Sequence, residues 1–153
     1  AELKLWEGLA ASGKTVRIHM HDPAPAHLER FRALGLIFEP KPQSFDRIMA
    51  RSRFVVSHGG HGFASASALA GLPQMIVAFD LEKFLVGDGV RRARLGIDHN
   101  LFTLDPPVFG GILADLWADE ALARDCRDLA SELMVRELPA PEDEMARLVS
   151  ATK

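Results

Sequence analysis

The tightest constraint on the fold is residues 53–73, RFVVSHGGHGFASASALAGLP, where a strand, a glycine turn and a helix start must follow one another directly. Phe54, Val55 and Val56 form the short apolar run of an interior parallel strand. Residues 57–62, SHGGHG, break it, and the small-residue run 63–70 restarts as a helix that Gly71 and Pro73 close. Such a junction leaves several backbone N–H groups without intrahelical partners, backed by about half a positive charge from the helix dipole. An anion, most often a phosphate, is suited to that position. At least one of Gly59, Gly60 and Gly62 is expected at positive φ, and their missing side chains let a phosphate approach the backbone. The glycines alone leave two readings open. One is an anion cradle with His58 donating from the carboxyl end of the strand; the other is a tight turn carrying a surface histidine. The pattern is neither a P-loop, which needs Gly-Lys-Ser/Thr, nor a strict G-x-G-x-x-G.

Around this stretch, helical and strand patterns alternate. Helices are predicted over 2–11, 25–34, 43–52, 81–95, 108–117 and 120–137, with the fourth interrupted near Gly87 and Gly89. Strands are predicted over 15–20, 36–38 and 75–79, with a weak one near 100–103. The alternation implies right-handed crossovers and a parallel sheet covered on both faces, an α/β fold of Rossmann-like type. A chain of 153 residues suits one domain, assigned to 1–138, followed by an amphipathic tail over 139–153 set off by Pro139 and Pro141. The first element is a helix, whereas a Rossmann-like sheet starts from a central strand. The domain is therefore expected to lack its first strand and to self-associate through the exposed edge unless something covers it.

Composition narrows the chemistry. A net charge of −3 with arginines spread along the chain gives no footprint for nucleic acid. The single cysteine, Cys126, excludes an internal disulfide framework and fits a reducing, cytoplasmic setting. No apolar run reaches the 18 or so residues of a membrane span, so a soluble domain is expected. His19 and His21 share one side of a strand but lack a third ligand at useful spacing, so no metal site is assigned. His27 and His99 read as surface residues, Trp6 and Trp117 as helix-core residues.

Four landmarks in register give the sequence a family likeness. Pro42-Gln43 precedes His58-Gly59-Gly60-His61-Gly62; Gly71-Leu72-Pro73 follows the next helix; Glu82-Lys83 follows the next strand. This arrangement resembles the carboxyl-terminal, donor-binding half of GT-B fold glycosyltransferases, especially bacterial relatives of the UDP-glycosyltransferases. The resemblance implies an inverting, metal-independent transfer of a hexose from a UDP-sugar, with no cofactor. It also implies that the diphosphate lies against His58, Gly59, Gly60, His61, Gly62, Phe63 and Ala64, the base near Phe38, Pro42 and Gln43, and the donor sugar at Glu82 and Lys83. No catalytic residue is implied in this chain, because the family's base belongs to an amino-terminal acceptor domain, in cis or as a separate subunit. The tail, on its own residues only an amphipathic segment, takes by the resemblance the place of the family's helix that crosses back to the other domain. Four positions depart from the family pattern: Phe63 stands in place of Ser/Thr, Ala66 in place of a ribose-binding Glu, Pro40 in place of a base-stacking aromatic, and Lys83 in place of Gln. The competing classes are a split-enzyme subunit, a non-catalytic nucleotide-binding module, and a sugar-nucleotide epimerase relative, the last lacking acidic residues near the loop.

Overall fold

A computed structural model of the protein describes residues 2–135. The elements run α1 (Glu2–Ala11), β1 (Arg17–Ile18), α2 (Pro25–Ala33), β2 (Ile37–Phe38), α3 (Phe45–Arg51), β3 (Val55–Ser57), α4 (His61–Leu69), β4 (Gln74–Ala78), α5 (Leu81–Arg92), β5 (Gly96–Asn100), a 3₁₀ turn (Leu101–Thr103), α6 (Pro106–Ala118) and α7 (Glu120–Val135). All strand pairs are parallel. They form two pieces, β1 with β2, and β3-β4-β5 with β4 in the middle. The helical layers follow from the alternation of β4, which is buried on both faces. Met75 and Val77 point into a core with Trp6 and Leu9 of α1, Phe31 of α2, and Phe109, Leu113 and Leu116 of α6. Ile76 points the other way, to Val90, Leu95 and Cys126. Val16, Ile18 and Met20 around β1 and Phe54 and Val56 around β3 pack on the first of these cores, so one helical layer covers a face of both sheet pieces.

The structure adjusts several sequence expectations. α5 runs through Gly87 and Gly89 without interruption. A Cβ at Gly87 would stand 2.7 Å from Asp98 Cβ, so this glycine lets the helix settle onto β5. The last strand is 96–100 and not 100–103, because Gly96–Asn100 pairs along the whole of β4 while Leu101–Thr103 turns away as 3₁₀. α4 begins at His61, two residues before the expected start, taking Gly62 into its first turn. His27 and His99 are half-buried and not plain surface residues: His27 meets the Trp6 ring edge-on at 5.1 Å, His99 lies 5.4 Å from Phe109, and each has one buried ring nitrogen. Trp6 is core, but Trp117 is 36% exposed, with Lys14 Nζ at 5.3 Å and Arg53 Cζ at 5.7 Å from its ring. The 139–153 tail lies outside the described residues. No helix among those described is long and apolar enough to cross a membrane.

Candidate anion-binding site

The chain leaves β3 at Ser57 and enters α4 at His61, with His58, Gly59 and Gly60 between. Ser57 Oγ accepts the Gly59 N–H at 3.2 Å, folding the turn back over the strand end. Gly59 is buried with φ +84°, and a Cβ there would stand 2.8 Å from Ile76 Cγ2 and 3.5 Å from the Lys83 carbonyl oxygen. The turn thus lies down between β4 and the first turn of α5. Only a glycine accommodates both that φ and that approach.

Gly60 is the N-cap of α4 and offers it no side chain. The first helical bond runs from the Ala64 N–H to the Gly60 carbonyl at 2.9 Å, so the N–H groups of His61, Gly62 and Phe63 have no intrahelical acceptor. Other helices satisfy a donor at this position with a side chain. Ser44 accepts from Arg47 at 3.4 Å, Asp80 from Lys83 at 2.9 Å, Asp105 from Val108 at 3.2 Å and Asp119 from Leu122 at 2.8 Å. α2 also lacks a side-chain cap, but it opens with Pro25, which has no N–H to satisfy. Unlike α2, α3, α5, α6 and α7, α4 therefore opens with a full set of free peptide donors and no oxygen of its own to receive them.

His58 is exposed at the carboxyl end of β3, its ring 6.2 Å from Phe79. A Cβ at Gly60 would lie 3.3 Å from His58 Nε2, which places the imidazole over the start of α4. Phe63 turns its ring onto Phe45 of α3, 5.4 Å between centroids, so its side chain serves packing and its N–H remains for the site. Ala64 is buried and its carbonyl accepts the Gln74 side-chain amide at 2.9 Å. His61 is exposed and lines a groove of about 310 Å³ between α4 and α5 with Ser65, Leu85 and Val86.

Glu82 and Lys83 sit in the first turn of α5 and pair with each other at 2.7 Å. Lys83 is largely covered and Glu82 is open to solvent. Because the Lys83 backbone stands beside Gly59, the two motifs that are far apart in sequence meet at the carboxyl ends of β3 and β4. Pro42 and Gln43 follow β2, on the other sheet piece, with Gln43 Nε2 donating to the Lys41 carbonyl at 3.0 Å. Phe38 stacks on Phe31 at 6.1 Å and lines a cavity of about 250 Å³ with Leu28, Arg32 and Leu36, so its ring is engaged on the α2 side.

The sequence reading missed Phe79. It is the residue just past the fully buried β4, and it is 44% exposed beside His58. An apolar residue directly after a buried strand, at the end where α/β sheets bind ligands, was the available signal. Among the described residues no cluster of three or more His, Cys, Asp or Glu side chains has metal-binding geometry. His19 is exposed and donates its Nδ1–H to the Glu39 carbonyl at 3.0 Å. Cys126 is buried; burial, aided by the Asp125 carboxylate, pushes its thiol up to about 11.

The sequence matches no protein-family model and no curated protein. Its fold does match solved structures. LpCGTa, solved in complex with UDP, superimposes with a TM-score of 0.72 at 20% identity over 98% of this chain and 38% of that one. The glycosyltransferase SnogD from Streptomyces nogalater gives 0.68 at 19% identity over 98% and 39%. UGT2 of Phytolacca americana, complexed with UDP-2-fluoro-glucose and pterostilbene, gives 0.69 at 11% identity over 99% and 37%. The chain thus spans under two fifths of the length of these proteins. The fold is that of the carboxyl-terminal half of a GT-B glycosyltransferase, as the four sequence landmarks imply.

Proposed function

We propose that this chain is the donor-binding part of an inverting, metal-independent glycosyltransferase that takes a UDP-sugar. One observation carries the reading: the uncapped start of α4, with His58 above it, lies at the carboxyl ends of β3 and β4 in a fold shared with a protein solved with UDP. The free N–H groups of His61, Gly62 and Phe63 and the His58 imidazole are the donors for the diphosphate. In the transfer, an acceptor oxygen bonds to the anomeric carbon as the carbon–oxygen bond to the diphosphate breaks, and the electron pair leaves with the diphosphate. Fixed donors aimed at that developing charge lower the barrier without a metal. Glu82 accepts from hydroxyls of the donor sugar, and Lys83 holds Glu82 in place while adding a positive charge beside the glycine turn. Pro42 and Gln43, with Phe38 behind them, border the base. The base that takes the acceptor's proton belongs to an acceptor-binding domain, in cis or in a separate subunit. The chain by itself therefore binds donor and does not turn it over.

Calorimetric titration with UDP, TDP and GDP tests this reading. UDP is expected to bind in preference, and His58→Ala to weaken it by about 1.5–3 kcal/mol, the worth of a hydrogen bond to a charged group. Equal affinity for wild type and a folded His58→Ala variant removes the assignment. A non-catalytic nucleotide-binding module passes this test too. It is distinguished by adding the acceptor-binding half, which restores UDP-sugar consumption only for a transferase.

A further inference from the structure

β4 carries one polar side chain, and that side chain is sealed. Gln74 opens the strand, two residues before Ile76 and so on the same face, and it is 0% exposed. Its Nε2 donates to the Ala64 carbonyl of α4 at 2.9 Å, while its Oε1 is buried with no hydrogen-bond partner among the described residues. The bond to Ala64 fixes which end of the amide is nitrogen, since a carbonyl accepts only from the N–H. A buried acceptor left unpaired bears its full desolvation cost, so such a group calls for an explanation.

Gln74 also lines the groove of about 310 Å³ between α4 and α5. The groove exists because the residues that face each other there are small. Ala64, Ser65 and Ala68 lie along one stripe of α4, and Gly89 lines the α5 side, where a Cβ would meet nothing within 4 Å. The amide of Gln74 is at the strand side of the groove and the exposed Ser65 at its solvent side. No lysine, arginine or carboxylate lines it. A cavity of about 150 Å³ holds one benzene ring, so about 310 Å³ has room for two fused rings.

We infer that this groove is a second ligand site, separate from the anion site at the start of α4, and that it takes an uncharged, flat, two-ring aromatic molecule bearing one hydroxyl. The rings lie between the Ala64–Ala68 stripe and Gly89, and the hydroxyl donates to Gln74 Oε1. The ligand must bring a donor, because the unpaired group is an acceptor and the nitrogen beside it is committed to Ala64. It must be uncharged, because no ionised carboxylate or basic chain in the groove would offset the loss of water around a charge. Among the described residues no hydrogen bond or ion pair ties α4 to α5, so the walls can part by the small amount that admits the hydroxyl. Nothing in this site requires a nucleotide, so it stands or falls apart from donor binding.

Nuclear magnetic resonance of the isotope-labelled whole chain, titrated with β-naphthol in the absence of nucleotide, tests it. Saturable shifts are expected at the Ser65, Ala68 and Gly89 amides and at the side-chain amide of Gln74. The methyl ether of β-naphthol has the same rings and no donor, and should bind about fivefold more weakly, the net worth of one hydrogen bond. Gln74→Met keeps the bulk, removes the acceptor and should bring the two ligands to equal affinity. Gly89→Leu adds a side chain where a Cβ meets nothing within 4 Å and favours the helix, so the chain folds with its groove filled and should bind neither ligand. The inference is overturned by the absence of saturable shifts up to the solubility of naphthol, by equal affinity of naphthol and its ether for wild type, by a preference for naphthol that survives Gln74→Met, or by shifts that persist in Gly89→Leu.

Discussion

At Gly59 the main chain must turn with φ +84° while its Cα lies against Ile76, and these two demands make the position intolerant. Gly59→Ala is expected to cost about 2–4 kcal/mol, combining left-handed backbone strain with overpacking of the interior. Gly62→Ala is the comparison, since a Cβ there meets nothing within 4 Å. It should cost less than about 1 kcal/mol, and chemical denaturation of the two variants checks the difference. The sequence located the turn but left three glycines as candidates for the positive φ; only the approach of Ile76, from the following strand, singles out Gly59. The same limit applies to His27, His99 and Phe38. Their partners Trp6, Phe109 and Phe31 arrive from other elements, and a side chain's surroundings are set by what folds onto it and not by its own neighbours in sequence.

Two helices that start side by side treat their first turns in opposite ways. α5 receives the Asp80 carboxylate on the Lys83 N–H at 2.9 Å, and α4 receives nothing from its own residues. Asp80→Ala is expected to destabilise the protein by about 1 kcal/mol, read as a lower denaturation midpoint. The patterning of this region was legible because β4 is apolar from Met75 onward and Gly71 and Pro73 separate it from α4. β5 was not, because Gly96–Asn100 carries Asp98, His99 and Asn100 and shows no apolar alternation. It is a strand because it lies at the edge beside β4, where a half-exposed residue is tolerated and the ladder supplies the structure. α5 illustrates the converse: Gly87 looks like a helix breaker in sequence but is the point where the helix touches Asp98.

The whole molecule rests on two cores separated by the sheet, and the smaller one contains its single cysteine. The Cys126 thiol is raised from 9.0 to about 11, first by burial and then by Asp125, so the folded state favours the neutral form. That contribution is fully present below pH 9 and is lost as the pH climbs through 11. Denaturant midpoints across this interval should fall for wild type and fall less for Cys126→Ala, whose lower starting stability is set aside by comparing slopes. At this scale the α/β layering was readable from alternation alone, and the likeness of the loop motifs pointed to the same half of a two-domain fold. The division of the sheet into two pieces was not readable, because the pairing of β1 with β2 and of β3 with β4 and β5 is set by contacts between elements. Trp117 also has an optical consequence. The chain has two tryptophans, and Trp6 is sealed among Phe31 and His27 while Trp117 lies half-open beneath the cations of Lys14 and Arg53. Their emission therefore separates by environment, Trp6 reporting whether the α1–α6 core is intact and Trp117 reporting what happens at the amino ends of β1 and β3.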